Sequence, residues 1–316
     1  MNSRCSLFLL IFLFSAAFHA QDSSSVVLNG HSGPVNSIDI SPDGKTLLSG
    51  SKDETIRIWN LDKRISEKTI NTKGSSVKRV CFNSNGTKFL AALYCVFEEY
   101  DLKTFKKRSS KKIHTSFVET CLYSADDNYI LTSSWRDNTL VICKAKNLKK
   151  YVQTTEVYWV DNAIFNKSAS LVFSGGHDNL VKMWDAATGG MIRSYAGHED
   201  WVYDICLSPD EKMLYSASFD KTVKAWDLNS GKNIFTLKGH TEGIVCIDIT
   251  ADGRYLATGS SDKDIIIWDI AGRKELKRLK GHEGAVMDVQ FSTDGGTLYS
   301  CSIDKTIRIW KTGLNG

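Results

Sequence analysis

The sequence holds only three prolines in 316 residues, no C-x-x-C pair and no glycine-rich phosphate loop. Its longest apolar run falls well short of the roughly 20 residues that cross a bilayer as a helix. Charge is nearly balanced, with 40 Lys and Arg against 36 Asp and Glu and a formal net charge of +4. These absences exclude a collagen-like chain, a disordered chain and a disulfide framework. So small a charge excess makes no case for nucleic acid or for a membrane surface. What is present is an ordinary globular composition, 42% hydrophobic and 24% charged. Length alone would suggest about two domains.

The one apolar run that stands out is Leu7 to Phe14, preceded by Arg4 and followed by small residues up to Ala20. A basic start, a short apolar core and small residues form the pattern of a secretory signal peptide, assigned here to residues 1–20. Cleavage is expected after Ala17, or after Ala20 to leave a Gln21 start. The alternative is a buried N-terminal strand or helix. Cysteine usage points the other way. Beyond Cys5 there are seven, an odd number: Cys81, Cys95, Cys121, Cys143, Cys206, Cys246 and Cys301. Most sit in alternating apolar runs and read as small core hydrophobes, a usage commoner in reducing compartments. The leader is the more specific signal, so export is the expectation.

Self-similarity dominates the rest. Gly-His recurs at Gly30-His31, Gly197-His198, Gly239-His240 and Gly281-His282. A Trp series follows in the same register: Trp59, Trp184, Trp226, Trp268 and Trp310. A period of 41 to 42 gives seven units, starting near 31, 73, 114, 156, 198, 240 and 282. That leaves no room for a second domain, so residues 21–316 are expected to form one. Each unit alternates apolar and polar residues between Gly and Asp turns, which predicts four short antiparallel strands. No segment carries a helical stripe.

These Gly-His to Trp-Asp units resemble WD40 repeats, each one blade of a β-propeller. The resemblance covers residues 26 to 311. It implies an all-β, closed seven-bladed propeller of four-stranded antiparallel blades. The last blade lacks a fourth strand, which Val26-Val27-Leu28 would supply from the N-terminal end.

The resemblance also implies a tetrad in which Asp, His, a hydroxyl and the Trp indole are linked. Four sets carry over: His31, Ser49, Asp53 and Trp59; His198, Ser216, Asp220 and Trp226; His240, Thr258, Asp262 and Trp268; His282, Ser300, Asp304 and Trp310. Asp, His and a hydroxyl also resemble a hydrolase triad. One catalytic site does not recur in several blades, so the structural reading is preferred. Three units depart. Unit two has no His or Asp, and Tyr100 at the Trp place. Unit three keeps His114, Thr132 and Asp137, with Cys143 for Trp and one extra residue. Unit four keeps Ser174, Asp178 and Trp184, with Glu156 for His. His177 alone is spare, so neither a metal site nor a cofactor is expected. The run Lys103, Lys106, Lys107, Arg108, Lys111 and Lys112 reads as a solvated outer strand and loop of blade two, or as a site for an acidic partner.

In the family, partners commonly dock around the central channel on the face of the unit-start loops. Three places per unit tend to point there: the third and fifth residues after the His place, and the one before the turn Asp. In register these give Phe117 and Arg136, with Trp135 in the extra turn residue; then Trp159, Asp161 and His177; then Trp201, Tyr203 and Phe219. Units one, six and seven give smaller or mixed residues, among them Asn36, Gly243, Val245, Met287 and Ile303. Large aromatics on an exposed rim are expected binding anchors; the alternative is that some pack into the channel wall. The resulting expectation is a monomeric, non-catalytic platform, exported, that binds a protein or peptide on the aromatic face of blades three to five. An intracellular scaffold subunit is the alternative, and a propeller enzyme a weaker one. Asn85 and Asn166 begin glycosylation sequons, each expected in an exposed turn.

Overall fold

The computed structural model describes residues 25–155 and 158–314. The signal-peptide reading and Glu156 lie outside the described residues. The described chain is all β, with 27 strands in six sheets. Five sheets have four antiparallel strands, and the sixth has seven. The seven-stranded sheet is blades two and three joined. One strand, Lys107–Tyr123, is the outer strand of blade two over its first half and the inner strand of blade three over its second.

The joint has a steric cause. In the four tetrad-bearing units a Gly precedes the His, and the blade's own Trp packs against it. A Cβ on Gly239 would meet the Trp268 ring at 2.8 Å, and one on Gly30 would meet the Trp59 ring at 3.0 Å. Unit three has Cys143 in place of that Trp, so the constraint is gone. Ile113 stands where the Gly would be, and a β-branched residue favours extended backbone. The strand therefore runs on without a break.

Burial falls from the channel outwards. Second strands such as Met213–Ser218 are almost wholly buried, whereas the outer Lys274–Leu279 is mostly exposed. The apolar core lies between successive blades: Leu48, Ile56 and Ile58 of blade one pack on Val77, Val80 and Phe89 of blade two. Each such side chain stabilises the ring by about 1.5 to 3 kcal/mol when fully buried. The ends meet as the repeat requires. Ser25–Leu28 pairs antiparallel with Ile307–Lys311, with Val26 opposite Ile309. Leu28, Val35 and Ile38 share a cluster with Cys301 and Ile307, so the last blade packs on the first.

Five of the seven cysteines are buried and Cys81 and Cys206 half-buried; all seven are free thiols. Asn85 is exposed, but Asn166 is buried, with its amide committed to Ser168, Ser170 and the Leu171 N–H. The expectation of an exposed turn thus holds at Asn85 and fails at Asn166. No helix among the described residues is long and apolar enough to cross a membrane.

Candidate protein-docking site

The inner strands end in a bulge just where they reach the channel mouth. In blade five, Val202 pairs with Ser218 and Asp204 with Ala217, so Tyr203 has no partner. The same skip leaves Asn36, Glu119, Asp161, Val245 and Met287 unpaired in their blades. A bulge re-aims a side chain. Here it turns one residue per blade into the mouth, where these six and Lys78 of blade two line a cleft of about 270 Å³.

On one side the cleft is walled by aromatics from blades three to five. Ring centroids run 4.6 Å from Trp135 to Trp159, 4.9 Å from Trp159 to His177, 4.0 Å from His177 to Trp201 and 5.9 Å from Trp201 to Phe219. These are favourable stacking and edge-to-face separations. Tyr203 lies 5.9 Å from Phe219 and 6.5 Å from His177. Trp159, Trp201 and Phe219 stay 37%, 38% and 37% exposed, which is unusual for rings with so many neighbours. Two glycines make the wall possible. A Cβ on Gly243 would strike the Phe219 ring at 2.4 Å, and one on Gly176 would strike the Trp159 carbonyl at 2.2 Å.

The polar side of the cleft is mixed. His177 Nε2 stands 2.9 Å from Asp161 Oδ2, off hydrogen-bond geometry, and Lys78 Nζ stands 3.2 Å from Glu119. Burial raises the carboxyls of both Asp161 and Glu119, against the pull of His177 and Lys78 respectively. Burial, then Asp161 and Glu119, push Tyr203 up to about 12.

Not every residue placed by sequence joins the cleft. Phe117 turns to blade two and stacks edge-on with Tyr94 at 5.0 Å, with the Lys78 amine 5.2 Å over its face. Arg136 is exposed and lies 5.4 Å over Trp135. Tyr94, 52% exposed, was missed because it replaces a polar turn in an irregular unit. Lys78, Arg79 and Glu119 were missed too. Reading the fifth and sixth places of every unit in column would have found all three.

Deeper in the channel, Arg79 acts on the carboxylates Asp39, Asp204 and Asp288, with Asp248 lining the same space. Each carboxylate accepts a backbone N–H of a following inner strand: Phe82 to Asp39 at 2.5 Å, Ile247 to Asp204 at 2.9 Å, Phe291 to Asp248 at 2.7 Å and Ile38 to Asp288 at 3.0 Å. Burial pushes Asp39 and Asp204 up to about 6 and Asp248 up to about 7. Arg79 is the cation that balances this ring.

The polar tetrads lie away from the cleft. In blade five Trp226 Nε1–H donates to Ser216 Oγ at 2.8 Å, Ser216 Oγ meets His198 Nε2 at 2.7 Å, and His198 Nδ1 meets Asp220 at 2.7 Å. The chain of bonds assigns the Nδ1–H tautomer. Blades six, seven and one repeat it on Thr258, Ser300 and Ser49 within 2.7–2.9 Å. Burial would raise Asp220, but hydrogen bonds from His198 and Thr222 outweigh it and hold the carboxyl below its usual range. Each hydroxyl is capped by an indole and fully buried, which leaves no exposed nucleophile. Blade three closes the chain loosely, with His114 at 3.2 Å from Asp137 and 3.0 Å from Thr132. In blade four Trp184 still donates to Ser174, but Asp178 pairs with buried Lys182 at 2.5 Å. In blade two Tyr100 donates to Glu98, which Lys107 also holds at 2.8 Å. Among the described residues no group of His, Cys, Asp and Glu could hold a metal ion.

Known proteins share this pattern. The chain is 25% identical over 201 residues to a guanine nucleotide-binding protein subunit beta of Zea mays, covering 58% of this chain and 52% of that one. It is 26% identical over 200 residues to a ribosome biogenesis protein WDR12 homolog of Drosophila persimilis, covering 57% and 48%. It is 23% identical over 189 residues to the nuclear distribution protein nudF of Aspergillus niger, covering 58% and 37%. The chain thus spans about half or less of the length of these relatives. The family model described as WD domain, G-beta repeat matches residues 22–60, 146–185, 189–227, 231–269 and 273–311. It passes over blades two and three: blade two lacks the His, Asp and Trp of the tetrad, and blade three has Cys143 in place of the Trp. The matched segments make up more than half of the sequence, and the chain belongs to the WD40-repeat family.

Proposed function

We propose that this protein is a non-catalytic docking platform whose channel mouth on blades three to five receives a protein or peptide. One observation carries the reading: a continuous wall of Trp135, Trp159, Trp201 and Phe219 stays partly exposed although no blade needs it for its polar network. Half-exposed aromatics around a cleft with a few convergent polar groups are what a partner's anchor residue fills. Membership in a family of protein-binding scaffolds supports it. The test is site-specific photo-crosslinking from Trp135 and Trp201 positions to a captured partner. Crosslinks at the mouth support the reading; crosslinks that form only from the opposite face overturn it.

The same reading makes the chain an intracellular scaffold subunit. Relatives named for nuclear distribution and ribosome biogenesis support this, as do seven free thiols. The exported reading rests on residues 1–20. N-terminal sequencing of the expressed full chain decides between them: a Met1 start supports the scaffold, and a Phe18 or Gln21 start supports export.

A further inference from the structure

The modest net charge of +4 conceals a strong segregation. Residues 102–113 hold six Lys or Arg and residues 139–155 hold four, and neither segment contains a single Asp or Glu. Of the chain's 40 cationic side chains, the other thirty face 36 acidic ones. Without these two segments, the molecule is net acidic.

The fold places both segments on one part of the rim. The first half of Lys107–Tyr123 is the outer strand of blade two, and Lys149–Thr155 is the outer strand of blade three. Lys111 and Lys150, from the two strands, both bear electrostatically on the Cys143 thiol. Lys107 and Arg108 are answered by Glu98 at 2.8 Å and Glu99 at 3.3 Å. Lys103, Lys106, Lys111, Lys112, Lys149 and Lys150 form no ion pair among the described residues. Outer strands elsewhere are treated differently: in blade six Arg278 pairs with both Glu275 and Asp264.

Two further features belong to this rim, the first shared with the outer strands of the other blades. Each outer strand is hydrogen-bonded on one side only, so the other edge offers free N–H and C=O groups. Beside the blade-three lysines lies a notch of about 150 Å³ with an apolar floor of Tyr129, Ile142, Tyr151 and Ala186 and with Ser170 and Asp185 at its polar side, and Lys144 Nζ stands 5.3 Å over the Tyr151 ring.

We propose that the outer edges of blades two and three dock an extended acidic protein segment. Unanswered lysines attract carboxylates, an open strand edge matches another polypeptide backbone, and the notch takes an apolar side chain between them. A lipid headgroup or a nucleic acid would use the charge but neither the edge nor the notch. This surface is separate from the aromatic mouth.

The test uses the full chain and a fluorescent peptide of Asp and Glu around a central Leu, followed by anisotropy. Saturable binding is expected, and the triple reversal Lys111→Glu, Lys112→Glu and Lys150→Glu should weaken it by about tenfold or more. The matched triple to Gln should fall between the two, while Lys45→Glu with Lys212→Glu and Lys274→Glu changes it by about twofold or less. Trp201→Ala should leave this binding unchanged, which separates it from the mouth. Lack of saturation, unaltered binding in the reversal variant, or tighter binding of an oligonucleotide or of phosphatidylserine vesicles would overturn the proposal. The lysines would then serve only to keep the edges from pairing with other chains.

Discussion

Blades five, six, seven and one solve the same packing problem differently from blades two, three and four. The first group uses a chain of Asp carboxylate, His, hydroxyl and indole, repeated with distances that vary by only 0.2 Å between 2.7 and 2.9 Å. In the second group blades two and four use ions, Glu98 with Lys107 and Tyr100, Glu99 with Arg108 and the blade-three Tyr123, and Asp178 with Lys182, while blade three keeps a loose chain of His114, Thr132 and Asp137. Four antiparallel strands per blade recur in both, although blades two and three share the continuous strand Lys107–Tyr123. The blade is therefore specified by alternation and period, and the tetrad is one of several ways to satisfy its buried polar groups. The irregular blades also carry the basic rim and the Trp135, Trp159 and His177 part of the aromatic wall, which continues onto Trp201 and Phe219 of blade five.

The sharpest way to break this contrast is in the channel, which both groups share. Arg79 comes from blade two, while Asp39, Asp204, Asp248 and Asp288 all come from the regular blades. Arg79→Met leaves Asp39, Asp204 and Asp288 without the cation that favours their ionised forms and is expected to cost about 3 to 5 kcal/mol. The pH dependence has a definite sign. Asp39, Asp204 and Asp248 are pushed up to about 6, 6 and 7, so their favourable contribution is complete below the unfolded value near 4 and is lost as pH rises through 6 to 7. The variant's deficit in melting temperature should shrink as pH falls from about 8 towards 5. A deficit independent of pH would contradict this account of the ring.

The next effect compares tetrads. Asp220→Ala strips a tight network from blade five and should cost about 1 to 3 kcal/mol by thermal or urea melts. Asp137→Ala acts on the looser blade-three network and should cost less. Equal losses would mean that the Trp link adds nothing.

A smaller effect separates the blades by acid. Burial lowers His114 to about 4, well below its unfolded value, so the neutral ring's stability is present above about 6.5 and lost as pH falls through 4. Asp53 shifts the other way: burial opposes but hydrogen bonds from Thr55, Ser32 and His31 prevail and lower it to about 2, so its contribution lasts until that pH. Amide protection in Tyr129–Ser134 should drop between about pH 6.5 and 4, and His114→Asn should remove the drop. Constant protection would place the acid-sensitive group elsewhere.

The legible part of the fold was the part carried by repetition. Gly-His, Trp and the turn Asp gave seven registers, and Val26 to Leu28 had no other place to pair. The joined sheet was not legible, because it depends on Ile113 and Cys143 changing together, and neither residue alone predicts a continuous strand. At the site, the aromatic positions and Asp161 could be read from the register, but the bulge itself leaves no mark on period-two alternation, and Glu119 went unread. Arg79 has no mark in the repeat pattern, because its role depends on Asp39, Asp204 and Asp288, which other blades bring to it. Phe117 was drawn away from the wall by Tyr94, a residue of an irregular unit whose register the tetrad could not fix.

The central claim is that the aromatic mouth binds rather than merely packs. The direct measurement is titration of a captured partner against the full chain and against Trp159→Ala and Trp201→Ala, with melts of all three. Each variant is expected to lose about 1 kcal/mol or more of binding energy while its melting temperature stays close to that of the parent chain. Variants that melt early and bind normally once folded would show the two rings to be channel wall, and the docking assignment would fall.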